Sequence, residues 1–202
     1  MKDLVALAAD GCMRVSLQEI LARNESLGAR PFSFDVFSHP EHDPGVLLRG
    51  HLLLQPLRNE YTYAVVVFDR DGCGSPQPAA ELSATVQGNM DRAGWADRSA
   101  VTVVDPELEV WIWSDSPHVA KALGWNRAQV LNRWLKENGH LREGAVKPID
   151  PKRAMDAALQ EVRLPMSTSI YRRIARNVGF ARCTDPAFLS FQATIHGWFP
   201  RP

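Results

Sequence analysis

A chain of 202 residues, 45% of them hydrophobic, suits one domain or one domain with a helical extension, and can bury about 70% of its unfolded surface. Its 23 basic and 23 acidic residues cancel, which excludes a global field that would recruit nucleic acid or an anionic membrane and makes any phosphate recognition local. No apolar run approaches the ~20 residues of a membrane span, and no secretory cleavage pattern accompanies the short stretch Leu4–Ala9, so a cytoplasmic protein with no membrane partner is expected.

Leu4-Val-Ala-Leu-Ala-Ala9 is a continuous apolar run of the kind a strand buried on both faces requires. Met13, Leu17, Ile20, Leu21 and Leu27 then recur at helical spacing, and Gly28 follows as a C-terminal cap. Residues 32–38 alternate apolar and polar, which predicts a strand covered on one face and placed toward the sheet edge. His39-Pro-Glu-His-Asp-Pro-Gly45 reads as a loop, and residues 46–59 return to helix-forming composition. Tyr63-Ala-Val-Val-Val-Phe68 is the strongest strand signal, and it runs directly into the turn-forming Asp69-Arg-Asp-Gly-Cys-Gly74. A helix over about 78–93 and a fourth strand, Ala100-Val-Thr-Val-Val104, follow. Asp105-Pro106 has the form of an N-cap and first helical residue, opening a helix over 107–115.

Beyond that point the pattern is helical only, near 127–137, 151–163, 168–178 and 186–198, with Asp150-Pro151 and Asp185-Pro186 as further openings and a linker over 138–149. Strands alternating with helices predict an α/β fold: a parallel sheet of about four strands flanked by helices over 1–125, then a C-terminal helical extension over 126–202 packed on the same core. Cys12, Cys73 and Cys183 are odd in number and widely spaced, which fits reduced thiols rather than a disulfide framework or a zinc set. The six tryptophans are expected in the core rather than on a base-stacking surface.

An open parallel sheet binds ligands at the carboxyl ends of its strands. Those ends carry Asp10, then His39 and His42, then Asp69 and Asp71, then Asp105, Glu107 and Glu109. In extended geometry Asp69 and Asp71 share a face ~7 Å apart and repel by roughly 2–3 kcal/mol at an effective dielectric of about 20. Mg²⁺, which takes a few carboxylates and several waters, would offset that repulsion. An Asp-rich turn bonded to backbone amides is the other reading, and Arg70 between the two acids is a further candidate. Glu107 and Glu109 fall in the first turn of the predicted helix, where the macrodipole favours carboxylates. Amid Leu108, Trp111, Ile112 and Trp113, however, an acid is partly desolvated and calls for a metal or cation. His39 and His42 lack the partners of a zinc site; they read as exposed loop histidines, or else as groups for phosphate contact or proton transfer. Gly72 and Gly74 belong to no Gly-x-Gly-x-x-Gly, and the chain has neither a Walker lysine motif nor a Gly-x-Ser-x-Gly elbow, which argues against nucleoside-triphosphate binding and serine-hydrolase chemistry.

Val65-Val-Val-Phe-Asp-Arg-Asp-Gly72, together with Pro106-Glu-Leu-Glu-Val-Trp-Ile-Trp-Ser-Asp115, resembles the Toprim-like proteins of bacterial phage-defence islands, and most of all the small component of methylation-associated defence systems. The similarity covers roughly residues 4–125, with a weaker echo at Ser167-Thr-Ser-Ile-Tyr171 and Asp185-Pro-Ala-Phe188. The resemblance implies a Toprim fold, a Rossmann-like α/β unit, with Mg²⁺ (or Mn²⁺) held by an Asp-x-Asp pair and by a glutamate at the end of the first strand. Carried over residue by residue, it puts Asp69 and Asp71 at the Asp-x-Asp positions and Glu109 at the glutamate before the tryptophan in the defence subgroup. At the first strand the chain departs from the pattern: Ala8-Ala9-Asp10 stands where the glutamate is expected, leaving Asp10 as a shorter substitute. The implied catalytic set is therefore Asp69, Asp71, Glu109 and Asp10, with Asp69, Asp71 and Glu109 on the metal. Two functions follow. One is a Mg²⁺-dependent nuclease of anti-phage defence that acts on phosphodiester bonds, with nucleic acid and other defence subunits as partners. The other is a catalytically degenerate Toprim module that serves recognition or scaffolding in a multi-protein defence complex.

Overall fold

The structure, a computed structural model, describes residues 1–114 and 116–201. Four strands, β1 (Lys2–Ala8), β2 (Phe34–Ser38), β3 (Tyr61–Asp69) and β4 (Ser99–Val104), form one parallel sheet in the order β2-β1-β3-β4. The two central strands are the two continuous apolar runs: Leu4–Ala8 and Ala64–Phe68 are no more than 1% exposed. β2 lies at an edge and keeps the alternation of a strand covered on one side, with Val36 buried and Phe37 45% exposed.

Parallel neighbours need crossover helices. α1 (Gly11–Leu21) connects β1 to β2 and packs on those strands, whereas α2 (His42–Leu54) and α3 (Ala79–Met90) carry the chain on through β3 to β4 and pack on each other. The chain therefore leaves β1 in one direction and returns on its other side, making a topological switch point between β1 and β3 at their carboxyl ends. Ala9-Asp10 and Asp69-Arg70 leave the sheet there. Trp95, fully buried in the π-helical turn Asp91–Trp95, donates from Nε1 to the Leu54 carbonyl at 3.1 Å, so its large apolar area is buried without an orphaned polar edge.

The C-terminal helices are α4 (Glu109–Ile112), α5 (Pro117–Ala122), α6 (Ala128–Glu137), α7 (Pro151–Glu161), α8 (Thr168–Asn177) and α9 (Pro186–Trp198). α8 packs on α1, and α9 on β4. Trp198 stacks on Tyr63 at 4.6 Å and Phe199 on Phe32 at 4.3 Å, so a single apolar cluster runs through the sheet and the C-terminal helices. Asp150 and Asp185 act as the caps their Asp-Pro pairs suggest, accepting from the Arg153 and Phe188 amides.

Several elements differ from the sequence reading. The first helix ends at Leu21, and a separate 3₁₀ turn, Asn24–Leu27, closes on the left-handed Gly28. The break falls at Arg23, whose guanidinium is drawn to the Ala175 and Val178 carbonyls at 2.7 and 2.6 Å. α2 begins inside the expected loop, with Pro44 in its first turn, where a missing N–H costs no helical bond. Asp105-Pro106 opens no helix: Arg70 Nε holds the Asp105 carboxylate at 2.7 Å, away from any amide, and α4 is only four residues long. α5 was not anticipated; it is capped by Ser116, which accepts from the His118 amide. Asp115, the last residue of the expected helix, lies outside the described residues. Among the described residues no helix is long and apolar enough to cross a membrane.

Candidate functional site

Asp69 ends β3 at the switch point. Its Oδ1 is buried and is the buried side-chain oxygen that lacks a hydrogen-bond partner among the described residues. Such an orphan is rare and costly. Burial first, then Asp43, Glu109 and Asp10, together push the Asp69 carboxyl up to about 9, the Leu108 backbone amide offsetting only part of the rise. In the metal-free protein at neutral pH, Asp69 is a neutral acid.

Asp43, in the first turn of α2, accepts a 2.7 Å hydrogen bond from the Asp69 amide. Burial raises its pKa, and that bond pulls the other way. Gly72 makes the approach possible, since a Cβ there would lie 2.8 Å from Asp43 Oδ2. Asp10 caps α1, accepting from the Met13 amide at 2.7 Å. Glu109, the first residue of α4 and 5% exposed, accepts from the Tyr171 hydroxyl at 2.5 Å. Burial raises its pKa and the Tyr171 bond lowers it, while burial, then Glu109, drives the Tyr171 hydroxyl well above its ordinary range.

Asp10 and Glu109 are thus both brought within electrostatic reach of Asp69. Asp71 is placed differently. β3 ends at Asp69 and the chain turns at once, so the extended geometry that would put both aspartates on one face does not persist. Asp71 is exposed, and its carboxylate pairs with Arg70 at 2.7 Å. Glu107 lies outside α4 and pairs with Lys152 of α7 at 2.5 Å; the Lys152 charge also reaches Glu109 and Asp69. His39 is not an exposed loop residue. It is 5% exposed and accepts at Nδ1 from the Glu41 amide, in a space that Gly45 leaves open, since a Cβ there would lie 2.2 Å from Nδ1. Burial, then Arg49 and His42, lower its pKa and favour the neutral ring. His42 is exposed. Cys12 lies beside the cluster, but burial, then Asp10 and Glu109, push its thiol up to about 11, so it supplies no thiolate at neutral pH.

Asp43, Lys152 and Tyr171 join this cluster without a place among the residues expected from sequence. Asp43 carried a usable signal, as it forms an Asp-Pro pair like those at Asp105, Asp150 and Asp185. Among the described residues, no three His, Cys, Asp or Glu side chains converge closely enough to form a ready metal cage. The chain's own restraint on Glu109 is testable: Tyr171→Phe, which leaves the buried carboxylate without its donor, is expected to cost about 1.5–3 kcal/mol in urea unfolding. Unchanged stability would mean that the bond is idle.

The chain matches no protein-family model, no curated protein and no solved structure.

Proposed function

We propose that the chain is a component of a bacterial anti-phage defence system, a Toprim-type unit that uses a divalent cation to act on phosphodiester bonds. The observation that carries this reading is the orphaned, buried Oδ1 of Asp69 at the switch point, with Asp43, Asp10 and Glu109 around it. An unsatisfied carboxylate oxygen among further acids fits a hard cation that takes few protein ligands and keeps several waters. Asp69 would hold it, flanked by Asp43 and Asp10. Mg²⁺ or Mn²⁺ bound there would polarise a scissile phosphate and stabilise the leaving oxygen.

The remaining residues serve orientation and charge. Tyr171 fixes Glu109, and Asp43 fixes the end of β3 through the Asp69 amide. The overall charge is zero but unevenly divided, with 13 Lys and Arg against 6 Asp and Glu in residues 126–202. Arg172, Arg173 and Arg176 lie exposed on α8, Arg172 near Glu19 at 3.8 Å and Arg173 donating to the Ala122 carbonyl at 2.9 Å, and this basic face favours a nucleic-acid backbone as partner.

The degenerate module is the second reading. Asp71 tied to Arg70, Glu109 tied to Tyr171 and Ala9 in place of a first-strand glutamate favour it. Cleavage of a panel of single- and double-stranded DNA and RNA in Mg²⁺ or Mn²⁺ separates the two. The nuclease is expected to lose activity by about 100-fold or more in Asp69→Asn and to change by less than about threefold in Asp71→Asn. A folded wild type that binds nucleic acid but cuts none of the panel supports the recognition module instead.

A further inference from the structure

The segment 108–114 around α4, the end of α8, the segment 179–184 and residues 145–147 line a cavity of about 540 Å³. That lies within the ~300–1,000 Å³ of small-molecule sites. Its walls are aromatic: Trp111, Trp113, Phe180 and Phe188. The indole N–H groups are satisfied within the protein, Trp111 donating to Asp185 at 2.9 Å and Trp113 to the Pro151 carbonyl at 2.8 Å. The rings therefore have no polar edge in need of a partner.

These walls are braced from behind. Trp111 meets Phe188 edge to face at 5.2 Å, and Phe188 lies 5.1 Å from Phe180. Phe180 in turn carries the Arg23 guanidinium 4.0 Å from its ring centroid, and Arg23 is itself fixed by the Ala175 and Val178 carbonyls. A box held this way is ordered before a ligand arrives, which lowers the entropic cost of binding. Among the described lining residues the charged side chains are Lys147 and Arg182, and Arg182 is engaged within the protein. Lys147 has no ion-pair partner among the described residues.

From the braced aromatic walls and the Lys147 ammonium beside them, we infer that this cavity binds a small molecule with a planar apolar body and one anionic group, a carboxylate or a phosphate ester. The body lies against the tryptophan and phenylalanine faces, and the anion meets Lys147 at the rim. The site is independent of the metal reading, since none of its lining residues belongs to the acidic cluster.

Trp111 and Trp113 supply the signal for a test by fluorescence quenching. The probes are naphthoate and adenosine monophosphate, each beside its uncharged counterpart, naphthyl methanol and adenosine. At least one anion is expected to quench saturably and to bind about tenfold tighter than its counterpart. Lys147→Ala should bring that preference to within about twofold with Tm unchanged. Ala145→Phe, which fills the cavity from an exposed lining position, should abolish saturation. Naphthoate alone would assign a carboxylate ligand, the nucleotide alone a phosphate ester, and both the shared chemistry. Equal affinity for the neutral counterparts would overturn the inference, as would preference retained in Lys147→Ala, binding that survives Ala145→Phe, or no saturation by either anion up to ~1 mM.

Discussion

In the absence of metal, Asp69→Asn is expected to be more stable than the wild type at pH 8, and the two are expected to converge near pH 4. In the unfolded chain the Asp69 carboxyl titrates near its ordinary value, whereas in the folded protein it is held up at about 9. Across that window the folded state keeps a proton that the unfolded state releases. Stability from this group is therefore fully present below the lower value, falls as pH rises, and stops falling above the higher one. At pH 7 the loss is on the order of 4 kcal/mol. An asparagine never ionises and escapes it. Asp43 and Glu109, whose pKa values are also raised, contribute with the same sign, but they are common to both proteins. Urea unfolding in EDTA across this pH range gives the difference directly. Parallel curves would mean that the Asp69 carboxyl is as well solvated folded as unfolded.

A comparably large effect is expected from Ala9→Glu. Ala9 follows β1 and is 1% exposed, so an unpaired carboxylate there should cost on the order of 3–5 kcal/mol in EDTA. The resemblance implies a metal-facing glutamate at this end of the first strand. If position 9 faces the cation held by Asp69, Mn²⁺ returns part of the loss, and it raises the Tm of Ala9→Glu more than that of the wild type. An equal rise in both would show that position 9 faces elsewhere. The readout is stability, so it does not depend on whether the chain cuts anything.

The sheet was legible because its central strands, Leu4–Ala8 and Ala64–Phe68, are uninterrupted apolar runs too short for a buried helix, each followed within two residues by an aspartate. The long C-terminal helices were legible for the matching reason, since Asp150 and Asp185 cap helices whose apolar faces recur at helical spacing. The site was only partly so. Its acids come from β3, the N-cap of α1, α2 and α4, and which of them meet depends on local turns that pattern does not encode. Asp69 and Asp71 look equivalent in sequence, yet a turn one residue beyond β3 buries one and gives the other to Arg70. The four Asp-Pro pairs make the same point. Asp150 and Asp185 cap helices, while Asp43 is drawn to the Asp69 amide and Asp105 to Arg70, because tertiary partners outbid a local cap.

Asp69 is proposed as the residue that takes a divalent cation, and calorimetric titration of Mn²⁺ into the wild type, Asp69→Asn and Asp71→Asn decides whether it does. The wild type is expected to show one saturable site. Because the metal-free Asp69 carboxyl is protonated at pH 7.5, binding should release about one proton, seen as heat that changes with buffer ionisation enthalpy. Asp69→Asn should lose both the proton release and at least about tenfold in affinity, and Asp71→Asn should keep both, its carboxylate being already paired with Arg70. A wild type with no saturable Mn²⁺ binding, or an Asp69→Asn protein that binds as the wild type does, would contradict the account.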